Sequence, residues 1–326
     1  EQAIEHPEVR NEKVQRARQT TLTGQTYRHR AETLVDRLTR RTDADASIDA
    51  LESHTAWIIG CGRTGSTWLA EMPGDLPQIR RWHEPYFGRL FRHLHEGPDE
   101  LHRSGAFFSA RQQRVWLRGI RGLFYSVAPD RFPRLSEHAL VIKEVNTPEI
   151  FPWVHAVFPR SRMILLARDP FDVLDSYIDL QRPDSWNERF AGDKPDPLSP
   201  ENVRRTAEHI RKTMEIAIAA YETFPREQRL WLSYESLLRD TDACLRKCAA
   251  LLGVKAEVGS LRRVIEKHRF ENYKRTGPLE FRRQGKAGSW TSSSNFSVEV
   301  REIADETLAD FRARLGYPAG VREPIE

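Results

Sequence analysis

The chain has 326 residues, 39% of them hydrophobic, which is enough for one large core or two modest ones. Its 51 Lys and Arg against 47 Asp and Glu leave a net charge of +4 without a dense basic tract, which argues against a general nucleic-acid binder and for a local basic pocket. Three cysteines, Cys61, Cys244 and Cys248, are too few and too badly spaced for a disulfide framework or a four-ligand zinc site, and no apolar run approaches the ~20 residues that span a bilayer.

Residues 1–50 are polar and arginine-rich, with helical spacing at Ala31, Leu34, Val35 and Leu38, and are expected to form an N-terminal helical arm with a solvated charged face. Residues 51–326 are expected to form a single α/β domain. No signal-peptide pattern opens the chain, so the cytoplasm is the expected compartment, with a trimmed leader or anchor left open. The run WIIGCGRTGSTW at 57–68 reads as a buried strand, a turn of small residues suited to a phosphate, and the start of a helix stopped near Pro73-Gly74.

Residues 75–138 are mixed, with helices expected over 87–95 and 112–125. The short apolar runs 139–142 and 163–167 read as buried parallel strands, and Thr147-Pro148-Glu149 between them opens a helix, so strand, helix and strand imply a right-handed crossover. Four prolines mark 181–200 as a long surface loop or lid. Ser199 is expected to cap a helix with Pro200 at its first position and an apolar face from Val203 to Tyr221. A strand at 230–234, a helix over 236–252 ended by Gly253, a basic glycine-punctuated stretch at 268–297 and a closing helix complete the chain. Cys244 and Cys248, four apart, are expected to be buried helix-face thiols.

As a Walker loop the first run almost works. Gly60 and Gly65 bracket four residues, but Ser66 stands where the lysine should precede Thr67, and the basic residue has moved upstream to Arg63. That disfavours a metal-dependent ATP kinase. With RTGST at 63–67 followed by Trp68, the chain resembles the sulfotransferases that use 3′-phosphoadenosine 5′-phosphosulfate (PAPS). A second block, MILLARDPFDVLDSY at 163–177, is similar to the family's strand-to-helix segment, in which arginine and serine bind the donor's 3′-phosphate; here these are Arg168 and Ser176. A third, RRQGKAGSW at 282–290, supplies Arg283 and Gly285, with Gln284 in place of the usual lysine. Tyr234 and Phe270 fall where the family contacts adenine, although either residue type is more often plain core.

The resemblance covers roughly residues 55–295 and implies a P-loop-type central parallel sheet with helices on both faces, beyond the N-terminal arm. It implies PAPS as donor, bound by Arg63, Thr64, Gly65, Ser66, Thr67 and Trp68 together with the later blocks, and no required metal. In the family's small-molecule branch the base is a histidine two residues after a strand-end lysine, but here Val145 follows Lys143 at that spacing. Other branches carry Glu-Pro after the first helix, and Glu84-Pro85 matches that pattern. Glu84 is therefore the expected base, assisted by His83, against the plainer role of a helix-start carboxylate. Lys143 either stabilises the sulfuryl group in flight or reaches solvent from the strand end. The expected acceptor is a small-molecule, lipid or glycan hydroxyl, or an amine, near Trp82, Tyr86, Phe87 and Trp186. No nucleic-acid partner is implied, and self-association is left open. A non-catalytic module binding polyanions through its arginines is the alternative outside enzymology.

Overall fold

The computed structural model describes residues 7–20, 43–91, 112–182, 196–272 and 285–317. The chain divides into two units, Glu1–Ile48 and Asp49–Glu326. In the first lies helix α1 (Pro7–Thr20), and α2 (Asp43–Ser53) leads into the second. The expected helical pattern from Ala31 to Leu38 falls outside the described residues, as do Trp186 and positions 183–195 of the expected lid.

Five strands form one parallel sheet: β1 (Thr55–Ile59), β2 (Ile79–His83), β3 (Ala139–Lys143), β4 (Arg162–Ala167) and β5 (Arg229–Ser233), in the order β2-β3-β1-β4-β5. The apolar runs expected to be strands are β1, β3 and β4; β1 lies between the other two and is covered on both faces, so Ala56 to Ile59 read as an unbroken apolar string. Strand β2 was not apparent in the sequence. It lies at the sheet edge, where Arg80 and Arg81 are tolerated and interrupt any apolar pattern.

Helices cover both faces. α3 (Ser66–Gly74) follows β1, α4 (Gln113–Arg131) precedes β3, and α5 (Val154–Val157) precedes β4. After β4 come α6 (Pro170–Gln181) and α7 (Pro200–Glu222), and after β5 come α8 (Tyr234–Arg239), α9 (Thr241–Leu251), α10 (Val258–Lys267) and α11 (Val298–Arg314). Alternate strand residues Ala56, Ile58, Val141, Ile164 and Leu166 share one core with Leu69 and Met72 of α3, Leu245 and Cys248 of α9 and Leu261 of α10. On the other face Trp57 stacks on Phe158 at 5.1 Å and meets Phe124 at 5.4 Å. Cys244 and Cys248 are buried core thiols.

Three helices differ from expectation. The one expected over 87–95 is described only as a 3₁₀ turn, Phe87–Phe91, and positions 92–95 lie outside the described residues. The 236–252 helix is broken at Asp240, which leaves helical geometry (φ −141°, ψ 76°) and caps α9 by accepting the Ala243 N–H. The helix opened by Pro148 is a 3₁₀ segment, Pro148–Trp153, before it becomes α5, because Pro152 inside it has no N–H to donate. No described helix is long and apolar enough to cross a membrane. The register sets the ends of β1, β3 and β4 side by side, so the segments leaving Ile59, Lys143 and Ala167 meet at one edge of the sheet.

Candidate active site

The turn between β1 and α3 is shaped by left-handed residues: Gly60 (φ 145°), Arg63 (φ 67°) and Gly65 (φ 89°). Gly65 has no room for a side chain, since a Cβ there would lie 2.6 Å from the Tyr234 ring. The arginine at 63 is a non-glycine held in that conformation, a strain that persists at functional turns. Its Nε donates to Ser176 Oγ at 3.0 Å, joining the turn to α6. Gly65, Ser66, Thr67 and Trp68, at the start of α3, line the same cavity, and the N-terminus of a helix is a place where backbone N–H groups bind anions.

Arg168 leaves the end of β4 beside this turn. Its Nη1 donates to the Arg63 carbonyl at 3.3 Å, its Nη2 donates to the Lys286 carbonyl at 3.2 Å, and its Cζ lies 4.4 Å over the Tyr234 ring. Its Nε is buried with no hydrogen-bond partner among the described residues, a donor suited to an anionic oxygen. One turn along α6, Asp172 accepts the Gly288 N–H at 2.8 Å, the Ser289 hydroxyl at 3.0 Å and the Trp290 N–H at 3.1 Å, so the 285–290 segment is fastened over Arg168. Asp169 caps α6 at the Phe171 N–H and forms a buried two-pronged pair with Arg312 of α11, both bonds 2.8 Å.

Across the cavity, β2 ends in a turn where Glu84 (φ 46°) and Tyr86 (φ 53°) are both left-handed. Lys143 Nζ pairs with Glu84 Oε1, and the Tyr86 hydroxyl donates to Glu84 Oε2 at 3.2 Å. Burial alone would raise the Glu84 carboxyl, but the adjoining Lys143 ammonium brings it below the ordinary glutamate value, so it is ionised at neutral pH. Burial lowers the Lys143 ammonium, an effect that Glu84 opposes. Burial, with the Lys143 charge, also lowers the His83 imidazole, which is neutral at pH 7. The Lys143 side chain is 4% exposed, which overturns the solvent-reaching alternative for this strand-end lysine. The Glu84 carboxylate is taken by Lys143 and Tyr86.

Arg63, Arg168, Asp172, Ser176 and Tyr234, together with His83, Glu84, Tyr86 and Lys143, line one cavity of about 1070 Å³. Among the described residues no cluster of three or more His, Cys, Asp or Glu could hold a metal ion. A family model described as a sulfotransferase domain matches residues 53–315.

The chain belongs to the sulfotransferase family.

Similar solved structures include a mouse sulfotransferase complexed with PAP, at 16% identity, covering 83% of this chain and 92% of that one, with a TM-score of 0.49. A retinol dehydratase in complex with androsterone and inactive cofactor PAP is 17% identical, covers 86% of each chain and has a TM-score of 0.48. A Mycobacterium avium sulfotransferase is 15% identical, covers 82% of this chain and 79% of that one, and has a TM-score of 0.48. No curated protein sequence matches the chain.

Of the residues singled out in the sequence, this sulfotransferase brings Arg63, Gly65, Ser66, Thr67, Trp68, His83, Glu84, Lys143, Arg168, Ser176, Tyr234 and Gly285 to the one cavity. The Thr64 side chain is not among them: it is 1% exposed and its hydroxyl donates to the Cys61 carbonyl at 2.8 Å, leaving only its backbone for a ligand. Phe270 opens a 3₁₀ turn, Phe270–Asn272, and its side chain lies outside the described residues, as do Arg283 and Gln284. Trp68 donates its indole N–H to the His268 carbonyl at 2.9 Å, which fixes its ring at the cavity wall. Sequence reasoning missed the work of Asp172. It was visible as a matching position in the second block, but a carboxylate in a pocket for anions has no obvious task until the 285–290 segment is seen docked on it.

Proposed function

We propose that this enzyme moves a sulfuryl group from PAPS to the hydroxyl, or amine, of a glycan, lipid or natural-product alcohol by in-line displacement. The observation that carries the proposal is the convergence of Arg63, Arg168 and Ser176 on one side of a cavity whose other side holds the Lys143–Glu84 pair.

The backbone N–H groups of 64–67 and Arg63 hold the donor's 5′-phosphate, while Arg168 and Ser176 hold its 3′-phosphate. Trp68 and Tyr234, which meet edge to face with centroids 6.1 Å apart, supply flat surfaces for the adenine. Glu84 accepts the proton of the acceptor as its oxygen attacks sulfur, and the bond from sulfur to the 5′-phosphate oxygen breaks with its electron pair going to that phosphate. The charge gathering there meets Arg63 and the loop dipoles, which is electrostatic stabilisation of the leaving group. Lys143, 4% exposed and paired with Glu84, neutralises the sulfuryl oxygens in transit, a role its buried charge beside Glu84 supports. Neutral His83 beside them is a second acceptor for the proton. The cavity wall beyond the pair includes Tyr86, Val145, Asn146 and Leu180, a mixed polar and apolar surface suited to a hydroxylated carbon skeleton.

The test is incubation with ³⁵S-labelled PAPS and a panel of sugars, sterols, phenols and polyketide alcohols. Label should move to members of the panel with release of 3′,5′-adenosine bisphosphate. Label that stays on PAPS across the panel, or ATP bound in preference to the bisphosphate, would count against the proposal.

A further inference from the structure

The dipeptide Lys143-Glu144 at the end of β3 grips the turn carrying Glu84 at three points. The Lys143 carbonyl accepts the Glu84 N–H at 2.8 Å, the Lys143 ammonium pairs with the Glu84 carboxylate, and Glu144 Oε2 accepts the Phe87 N–H at 3.1 Å. Between these anchors two non-glycine residues, Glu84 (φ 46°) and Tyr86 (φ 53°), are left-handed on either side of Pro85. Such strain persists only where the surroundings over-determine it, so both ends of the turn need a hold. The Phe87 end is held by Glu144.

Glu144 is an unusual choice for that place. It is completely buried, with the Thr147 side chain beside its carboxyl. Burial pushes its carboxyl up to about 7. An acid kept inside the protein at this cost, in chain neighbourhood with Lys143 and bonded to the turn of Glu84, has a task other than packing. We propose that Glu144 is a positioning residue: by holding the Phe87 N–H it keeps the strained turn closed and the Glu84 carboxylate on Lys143. The proposal deepens, and rests on, the assignment of Glu84 as base.

The test uses protein labelled with ¹³C at the glutamate carboxyls and bound to 3′,5′-adenosine bisphosphate, the Glu84 signal being assigned by its loss in Glu84→Gln. Wild type, Glu144→Gln and Glu144→Leu are titrated. Glutamine keeps an oxygen for the Phe87 N–H, and leucine does not. The Glu84 midpoint is expected to stay below the ordinary value in wild type and Glu144→Gln and to rise by about one pH unit or more in Glu144→Leu, with bisphosphate affinity within about twofold throughout. An unmoved midpoint in Glu144→Leu overturns the proposal, as does a Glu144→Gln protein displaced as far as Glu144→Leu. If Glu144→Leu does not fold, hydrogen exchange at the Phe87 amide decides: protection in wild type and Glu144→Gln supports the contact, and rapid exchange in wild type removes it. Turnover by Glu84→Gln would sink the base assignment alone, since the dependence of Glu84 on Glu144 is read from the titration.

Discussion

Asp172 accepts the backbone N–H of Gly288, 116 residues further along the chain, at 2.8 Å, and so fastens the 285–290 segment to α6. The same carboxylate stands 3.5 Å from Arg168 Nη2, so one side chain orders both the segment and the guanidinium beneath it. Asp172→Asn turns an acceptor-only group into one that presents an NH₂ to backbone N–H groups. Affinity for 3′,5′-adenosine bisphosphate is expected to fall by about 1.5–3 kcal/mol, the range for hydrogen bonds to a charged group, while AMP, which lacks the 3′-phosphate, loses less. Calorimetry with the two nucleotides measures the difference, and equal losses would make Asp172 a general structural residue.

Arg168→Ala removes the guanidinium stacked on Tyr234. Bisphosphate binding is expected to weaken by about 2–4 kcal/mol, as for loss of a charge-assisted pair with phosphate. An unchanged dissociation constant would take Arg168 out of the donor site.

The Asp169–Arg312 pair joins residues 143 positions apart, both almost fully buried. Arg312→Leu leaves the carboxylate without its counter-charge, and urea unfolding is expected to show a loss of about 3–5 kcal/mol, as for a broken buried ion pair. The double variant Asp169→Asn, Arg312→Leu should recover part of that loss. No recovery would mean that Arg312 matters through its packing on Phe171 and Trp290, which its Cζ approaches at 4.8 and 5.4 Å.

Glu144 gives stability a pH dependence of definite sign. Its carboxyl rises from the ordinary 4.5 to about 7 on folding, so its contribution is fully present below 4.5 and is lost as pH rises through about 7. Relative to Glu144→Gln, which does not titrate, wild type is expected to lose about 2–3 kcal/mol of unfolding free energy between about pH 5 and about pH 8. A constant difference between the two proteins across that range would show that Glu144 does not titrate there.

Much of the sheet was legible because β1, β3 and β4 are buried on both faces and are apolar except at an end residue, Thr55, Lys143 and Arg162. Strand β2 was hidden because an edge strand carries arginines for reasons that have nothing to do with its core. The break at Asp240 was hidden because a cap depends on backbone geometry, and the apolar spacing runs on through it. At the site, Arg63, Arg168, Ser176 and Glu84 could be named because each sits in a short block of fixed spacing. Such a block does not say whether a position acts through its side chain or its backbone: the Thr64 hydroxyl is spent on the Cys61 carbonyl, which leaves its backbone for a ligand. Contacts made by Asp172 to Gly288, Glu144 to Phe87 and Asp169 to Arg312 join distant residues and leave no periodic trace.

Glu84, as the proposed base, is the residue whose loss should stop transfer without loosening the donor site. Wild type and Glu84→Gln should be compared for ³⁵S transfer from PAPS to the acceptor found in the panel, with bisphosphate affinity measured on the same samples. The expected result is transfer by wild type alone, a loss of 10²-fold or more in the range of general-base catalysis or above, with bisphosphate affinity within about twofold. Transfer by Glu84→Gln at the wild-type rate would remove Glu84 as the base.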